Sequence, residues 1–256
     1  MTGAQAPDAL ARLRQGMENI RCYQHDNTPL RLGLRRVDAL LGGGLARRAL
    51  HEISPQGPIH FGAASGFALA IAALAGKGTG RETLFIQTDL ARFEAGAPYG
   101  IGFDLFGLPS RRLLVLRARR VTDALFAMEE ALKCAALASV VVELPDDAAA
   151  DLTATRRLSL AARSHDGIGL LLRHRSSARP SAAMTRWEIS ASAGTRDAHG
   201  GIGTTSFLLS LVKNRRGPCD RFHVAWSHHE LSFVETADPV AVAAPFADRP
   251  ADAAIA

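Results

Sequence analysis

Residues 49–74 read ALHEISPQGPIHFGAASGFALAIAAL, and the reading of the middle of this stretch decides the fold. ALHEIS (49–54) has the length and apolar character of a buried strand, and LAIAAL (69–74) that of a core helix. FGAASGFA (61–68) between them reads as a glycine-containing turn from strand to helix, which is where α/β proteins place a phosphate-binding loop. Laid over the template G-x-x-x-x-G-K-[ST], Gly66 takes the second glycine, Phe61 the first, Phe67 the lysine and Ala68 the Ser/Thr. The cation for the β/γ-phosphates and the hydroxyl for Mg²⁺ are therefore missing, and nucleotide hydrolysis through this loop is not expected. Gly62, Ser65 and Gly66 remain candidates for a vestigial phosphate loop, because backbone N–H groups at a helix start attract anions. A nucleophilic Ser65 is not indicated, since G-x-S-x-G needs the serine one position earlier.

Outward from this stretch the chain alternates. ALHEI (49–53), TLFIQ (83–87), LLVLR (113–117), SVVVEL (139–144) and GLLLR (169–173) are apolar strand-like runs, separated by helical patterns over 121–137 and 152–164. Alternation of this kind builds a mostly parallel sheet flanked by helices. Beyond Pro180 four further runs, 185–192, 207–214, 221–227 and 231–235, follow one another without helices and predict an antiparallel C-terminal extension. Residues 8–21 carry Leu10, Leu13, Met17 and Ile20 on one helical stripe, so 1–29 reads as an N-terminal docking segment, 30–235 as the domain and 236–256 as a disordered tail.

The 256 residues carry 30 Lys and Arg against 25 Asp and Glu, a net charge of +5 supplied almost entirely by arginine. That excess is compatible with nucleic acid or an acidic partner without identifying either. The three cysteines, Cys22, Cys134 and Cys219, are far apart and outside any CxxC spacing, which points to a reducing, cytoplasmic compartment and no metal. No signal core or membrane span is read, and a span needs about 18 apolar residues.

Two carboxylates, Asp89 and Glu143, end two of these candidate strands, where nucleotide hydrolases place water-activating and metal-ordering groups. The segment RHRSSARPSAAMTR (173–186) is a basic, Ser/Pro-rich loop at a strand end, the edge where open α/β sheets bind ligands. Arg173, Arg175, Arg179 and Arg186 are therefore the candidate nucleic-acid or partner contacts. His223, His228 and His229 lack a second ligand pair at metal spacing.

The succession of LGLRRVDALLGGGLARRALHEISP, GAASGFALA, TLFIQTDLAR, RRVTDALFAMEEALKC, DLTATRRLSLAA, AAMTRWEIS and LVKNRRG resembles the ImuA family over about residues 30–235. The resemblance implies a RecA-like core and a role in SOS mutagenesis, supporting translesion DNA synthesis with an ImuB-like protein and an error-prone polymerase. RecA and DNA are further implied partners. The same order resembles the core of the RecA recombinase, which implies that Glu143 takes the Walker B position and Asp89 that of the catalytic glutamate, while Lys213 and Arg215 take basic positions that reach a neighbour's nucleotide. Residues 175–186 correspond to a second DNA-binding loop, and 145–152 are too few for the first. A recombination regulator that binds ATP or DNA is the alternative reading.

Overall fold

The computed structural model describes residues 28–145, 150–194 and 204–236. The predicted helix over 8–21 and the tail from 237 onward lie outside them. After a short helix α1 (Arg35–Leu40), three glycines turn the chain into β1 (Ala49–Pro55). Gly44, at φ 139°, lies so close to the Leu30 carbonyl oxygen that a Cβ would sit 2.5 Å from it. Only glycine fits this crossing, where Leu30 and Leu45 exchange backbone hydrogen bonds of 2.8 Å.

The remaining elements are α2 (Phe61–Gly76), β2 (Glu82–Thr88), α3 (Asp89–Ala95), α4 (Gly100–Leu105), β3 (Leu113–Ala118), α5 (Val121–Ala131), β4 (Leu137–Leu144), α6 (Leu152–Ala161) and β5 (Ile168–Arg173). Then β6 (Thr185–Ser192), β7 (Thr205–Asn214), β8 (Arg221–Ser227) and β9 (Ser232–Glu235) follow without intervening helices. All nine strands join one sheet in the order β3-β2-β4-β5-β1-β6-β7-β8-β9. The strands from β3 to β6 are parallel, and β7 to β9 add on antiparallel. The antiparallel extension thus starts one strand later than expected, because 185–192 pairs parallel to β1.

Two cores cover the sheet. On one face Ile53, Phe85, Val141, Leu170, Leu172 and Trp187 pack under α2; on the other Leu50, Ile86, Val140, Val142 and Leu171 pack under α5 and α6. Alternation of neighbouring strand residues between the cores explains the continuous apolar runs, since both faces of each central strand are buried. Helix α2 is itself lined on its outer side by Phe103, Phe106 and Leu108, so it is apolar nearly all round. With the 3₁₀ turn before it, Pro58–Gly76 is long and apolar enough to cross a membrane, contrary to the expectation from sequence, but half of it is buried in the protein as a core helix. Helix α5 ends at Ala131, six residues short of its predicted end, and Cys134, Ala135 and Ala136 are exposed before β4.

The decisive difference lies in 61–68. These residues are the first two turns of α2, preceded by a 3₁₀ turn at Pro58–His60, and not a glycine-rich loop. Phe67 is fully buried and its ring centroid lies 5.7 Å from Trp187 and 5.6 Å from Phe233. Burying such a side chain contributes about 1.5–3 kcal/mol, with further gain from the tilted ring contacts. Gly66 is needed for a different reason from phosphate approach: a Cβ there would lie 2.7 Å from the Phe106 ring.

Candidate functional site

The parallel strands carry two polar assemblies, one on each face of the sheet. On the α2 face the penultimate residue of β4, Glu143, is 3% exposed and accepts a 3.0 Å hydrogen bond from Gln87 Nε2 of β2. Its other oxygen lies 2.7 Å from His174 Nε2, just beyond β5. His174 Nδ1 lies 3.0 Å from a Glu94 carboxylate oxygen at the end of α3, and the Phe61 ring stacks obliquely on the imidazole at 4.2 Å. The carboxyl groups of Glu143 and Glu94 thus bracket the imidazole, one at each ring nitrogen.

Phe61, Gln87 and Glu143 of this assembly line a cavity of about 230 Å³, whereas His174 and Glu94 are not among its lining residues. Gly62, Ser65 and Gly66 of α2 line it together with Gln87, Glu143 and the aromatic rings of Phe85, Phe103 and Phe106. The structure thus gathers Gly62, Ser65, Gly66 and Glu143 around one space. Asp89 is not among the lining residues; it starts α3, half-exposed, and pairs with Arg117 of β3. The two strand-end carboxylates therefore do not converge, and Gln87 is the residue of β2 that meets Glu143.

On the opposite face Glu52 of β1 is fully buried. It accepts hydrogen bonds of 2.8 Å from Arg173 Nη2, 2.8 Å from Arg186 Nε and 2.9 Å from Ser181 Oγ. Burial pushes the carboxyl up, but the two guanidinium groups outweigh it and hold Glu52 below the ordinary carboxylate range. Arg186 also donates 2.7 Å hydrogen bonds to the Ser177 and Arg179 carbonyls, and Lys213 Nζ reaches the Ser181 carbonyl at 2.6 Å. Burial lowers the Lys213 pKa. Arg215 reaches the Ala182 carbonyl at 3.4 Å.

The basic segment is accordingly divided. Arg173, Arg186 and Lys213 turn inward and clamp the loop from beneath, whereas Arg175 and Arg179 are exposed. Part of the charge of this basic, Ser/Pro-rich segment is thus taken up by the buried acid beneath it, because a buried carboxylate draws cations to itself. Beside Glu52, His51 is also fully buried, with Nε2 2.8 Å from the Ala46 carbonyl and Nδ1 2.8 Å from Thr185 Oγ1. Burial lowers its pKa to about 4, so the ring is neutral and donates to Ala46.

Among the described residues no group of His, Cys, Asp and Glu side chains is arranged to hold a metal ion. His228, for example, is engaged by Thr205 Oγ1 and the Leu105 carbonyl. Glu52, His174 and Glu94 escaped the sequence reading. The signal for Glu52 was present: two polar residues, His51-Glu52, inside a strand otherwise apolar enough to be covered on both sides.

A three-layer α/β protein with a cavity at the carboxyl edge of its parallel strands, entered beside a helix rather than a glycine-rich loop, is the class that fold and site define. No protein-family model matches the chain. Proteins named Protein ImuA from two strains of Caulobacter vibrioides are 30% identical to it over 187 residues, 69% of this chain and 74% of theirs. The chain belongs to the ImuA family.

Proposed function

We infer that this protein is a non-hydrolysing accessory of damage-induced mutagenesis, which uses a RecA-like core as a docking platform. In this role it supports error-prone translesion synthesis with an ImuB-like protein and an error-prone polymerase. Family membership supports the pathway. The observation that carries the non-hydrolysing part is the helical course of 61–68, with Phe67 and Ala68 buried where a lysine and a hydroxyl would meet phosphate and Mg²⁺. Glu143 supports the same reading, being engaged by Gln87 and His174.

Two measurements on the full chain test it. Deleting the gene should lower damage-induced mutation frequency, with restoration by the wild-type protein and by Asp89→Ala; unchanged mutagenesis on deletion sinks the role. Purified protein should show no Mg²⁺-dependent ATP turnover; turnover abolished by Glu143→Ala sinks the non-hydrolysing part.

A second reading is favoured by the exposure of Arg175 and Arg179 at the carboxyl edge of the sheet: direct contact with DNA phosphates. If so, log affinity falls with log salt, and each of Arg175→Ala and Arg179→Ala reduces the slope by about 1. Salt-independent or absent binding disposes of it.

A further inference from the structure

At the opposite end of α2 from the cavity lies a second cleft, of about 220 Å³. Ala73, Leu74, Leu108, Pro109 and Leu231 line it with apolar surface. Four cations, Lys77, Arg81, Arg111 and Arg112, also line it, and no aspartate or glutamate does. Arg81 is committed to Asp166, with Nη2 3.8 Å from the carboxylate. The side chains of Lys77, Arg111 and Arg112 make no ion pair or hydrogen bond among the described residues.

Two separate elements deliver these charges: Lys77 follows the last turn of α2, and Arg111 and Arg112 stand on the 3₁₀ turn at Ser110–Arg112 that leads into β3. Like charges gathered at one mouth repel one another, and only an anion brought from outside turns that cost into attraction. The floor sits against the carbonyl end of α2, where the helix dipole disfavours anions. An occupant must therefore put an apolar group on the floor and its negative charges at the rim.

We propose that this cleft binds an acidic segment of a partner protein, inserting one apolar side chain between α2, Leu108 and Leu231 while flanking carboxylates pair with Lys77, Arg111 and Arg112. A nucleic-acid backbone offers the charges without the apolar anchor, so the acidic peptide is the better match. The surface is separate from the carboxyl-edge cavity, and its occupation requires no nucleotide or DNA at that cavity.

Fluorescence anisotropy with the full chain tests this, using a fluorescein-labelled synthetic peptide in which one phenylalanine is flanked by aspartates. Saturable binding is expected, weakened at least tenfold by Lys77→Glu and by Arg111→Glu with Arg112→Glu. The peptide with serine for phenylalanine should also bind at least tenfold more weakly. Arg35→Glu with Arg36→Glu, which alters a basic patch elsewhere on the molecule, should leave binding unchanged. If the double reversal lowers the melting temperature, Arg111→Ser with Arg112→Ser reads the same contact. Binding indifferent to these substitutions or to loss of the phenylalanine overturns the proposal. So does displacement of the peptide by an oligonucleotide with the same dependence on Arg111 and Arg112. A dimer dissolved by the double reversal would assign the cleft to a second copy, and binding seen only after removal of 237–256 would assign it to the chain's own tail; either result overturns the acidic partner.

Discussion

Glu52, in the middle of β1, and Glu143, near the end of β4, are both buried carboxylates on parallel strands, yet they stand in opposite relations to their surroundings. Glu52 is fully buried and closed in by two arginines and a serine. Glu143 is held by neutral Gln87 and by His174, and forms part of a cavity wall. The closed carboxylate organises a loop, and the open one furnishes a surface. Burial alone does not separate the two roles; the partners do.

The largest expected effect comes from opening the closed centre. Glu52→Ala removes the buried carboxylate that Arg173 and Arg186 share and should cost about 3–5 kcal/mol in denaturant unfolding. A cost near that of a surface substitution would erase the contrast.

Acid should act next, and through the same strand. The His51 pKa is lowered to about 4 by burial, so the unfolded chain binds the proton more readily. Its contribution is complete above about pH 6.5 and is lost as pH falls toward 4, on the order of 3 kcal/mol. Glu52, held low by its arginines against the effect of burial, adds to the loss at still lower pH. Urea midpoints across this range measure the slope, and His51→Gln should flatten it above pH 4.5.

The cavity side should respond more mildly. Gly66→Ala pushes against the Phe106 ring and should cost about 1–3 kcal/mol, shifting an aromatic wall of the cavity. Glu143→Gln keeps a hydrogen-bonding side chain where the carboxylate was and should cost about 1 kcal/mol. If Glu143→Gln were as damaging as Glu52→Ala, Glu143 would also be a structural acid.

All nine strands were legible because each is a short apolar run, and the two-sided burial of the central ones left no periodicity to confuse. The start of α2 was not legible. Gly62 and Gly66 favour a turn locally, and the helix through them is stabilised by Phe106, forty positions from Gly66, whose ring takes the space a Cβ would need. The end of α5 was missed because alanines after Cys134 carry no stop signal. Short α3 and α4 have too few turns to show a period. Among site residues, Glu143 was readable from its place at a strand end. The charge of Arg173 and Arg186 is visible in sequence, whereas the buried acid they share, 121 and 134 residues away, is not.

The place of β1 has a consequence for synthesis. It is made early, yet its sheet neighbours are β5 and β6, and Ala49 pairs with Ile168. At a translation rate of about 5–20 residues per second, roughly 6–24 s pass before the first of those neighbours is made. Through that interval a largely apolar helix and an unpaired strand carrying His51 and Glu52 must be kept from other chains, which makes the nascent protein a natural client for chaperones.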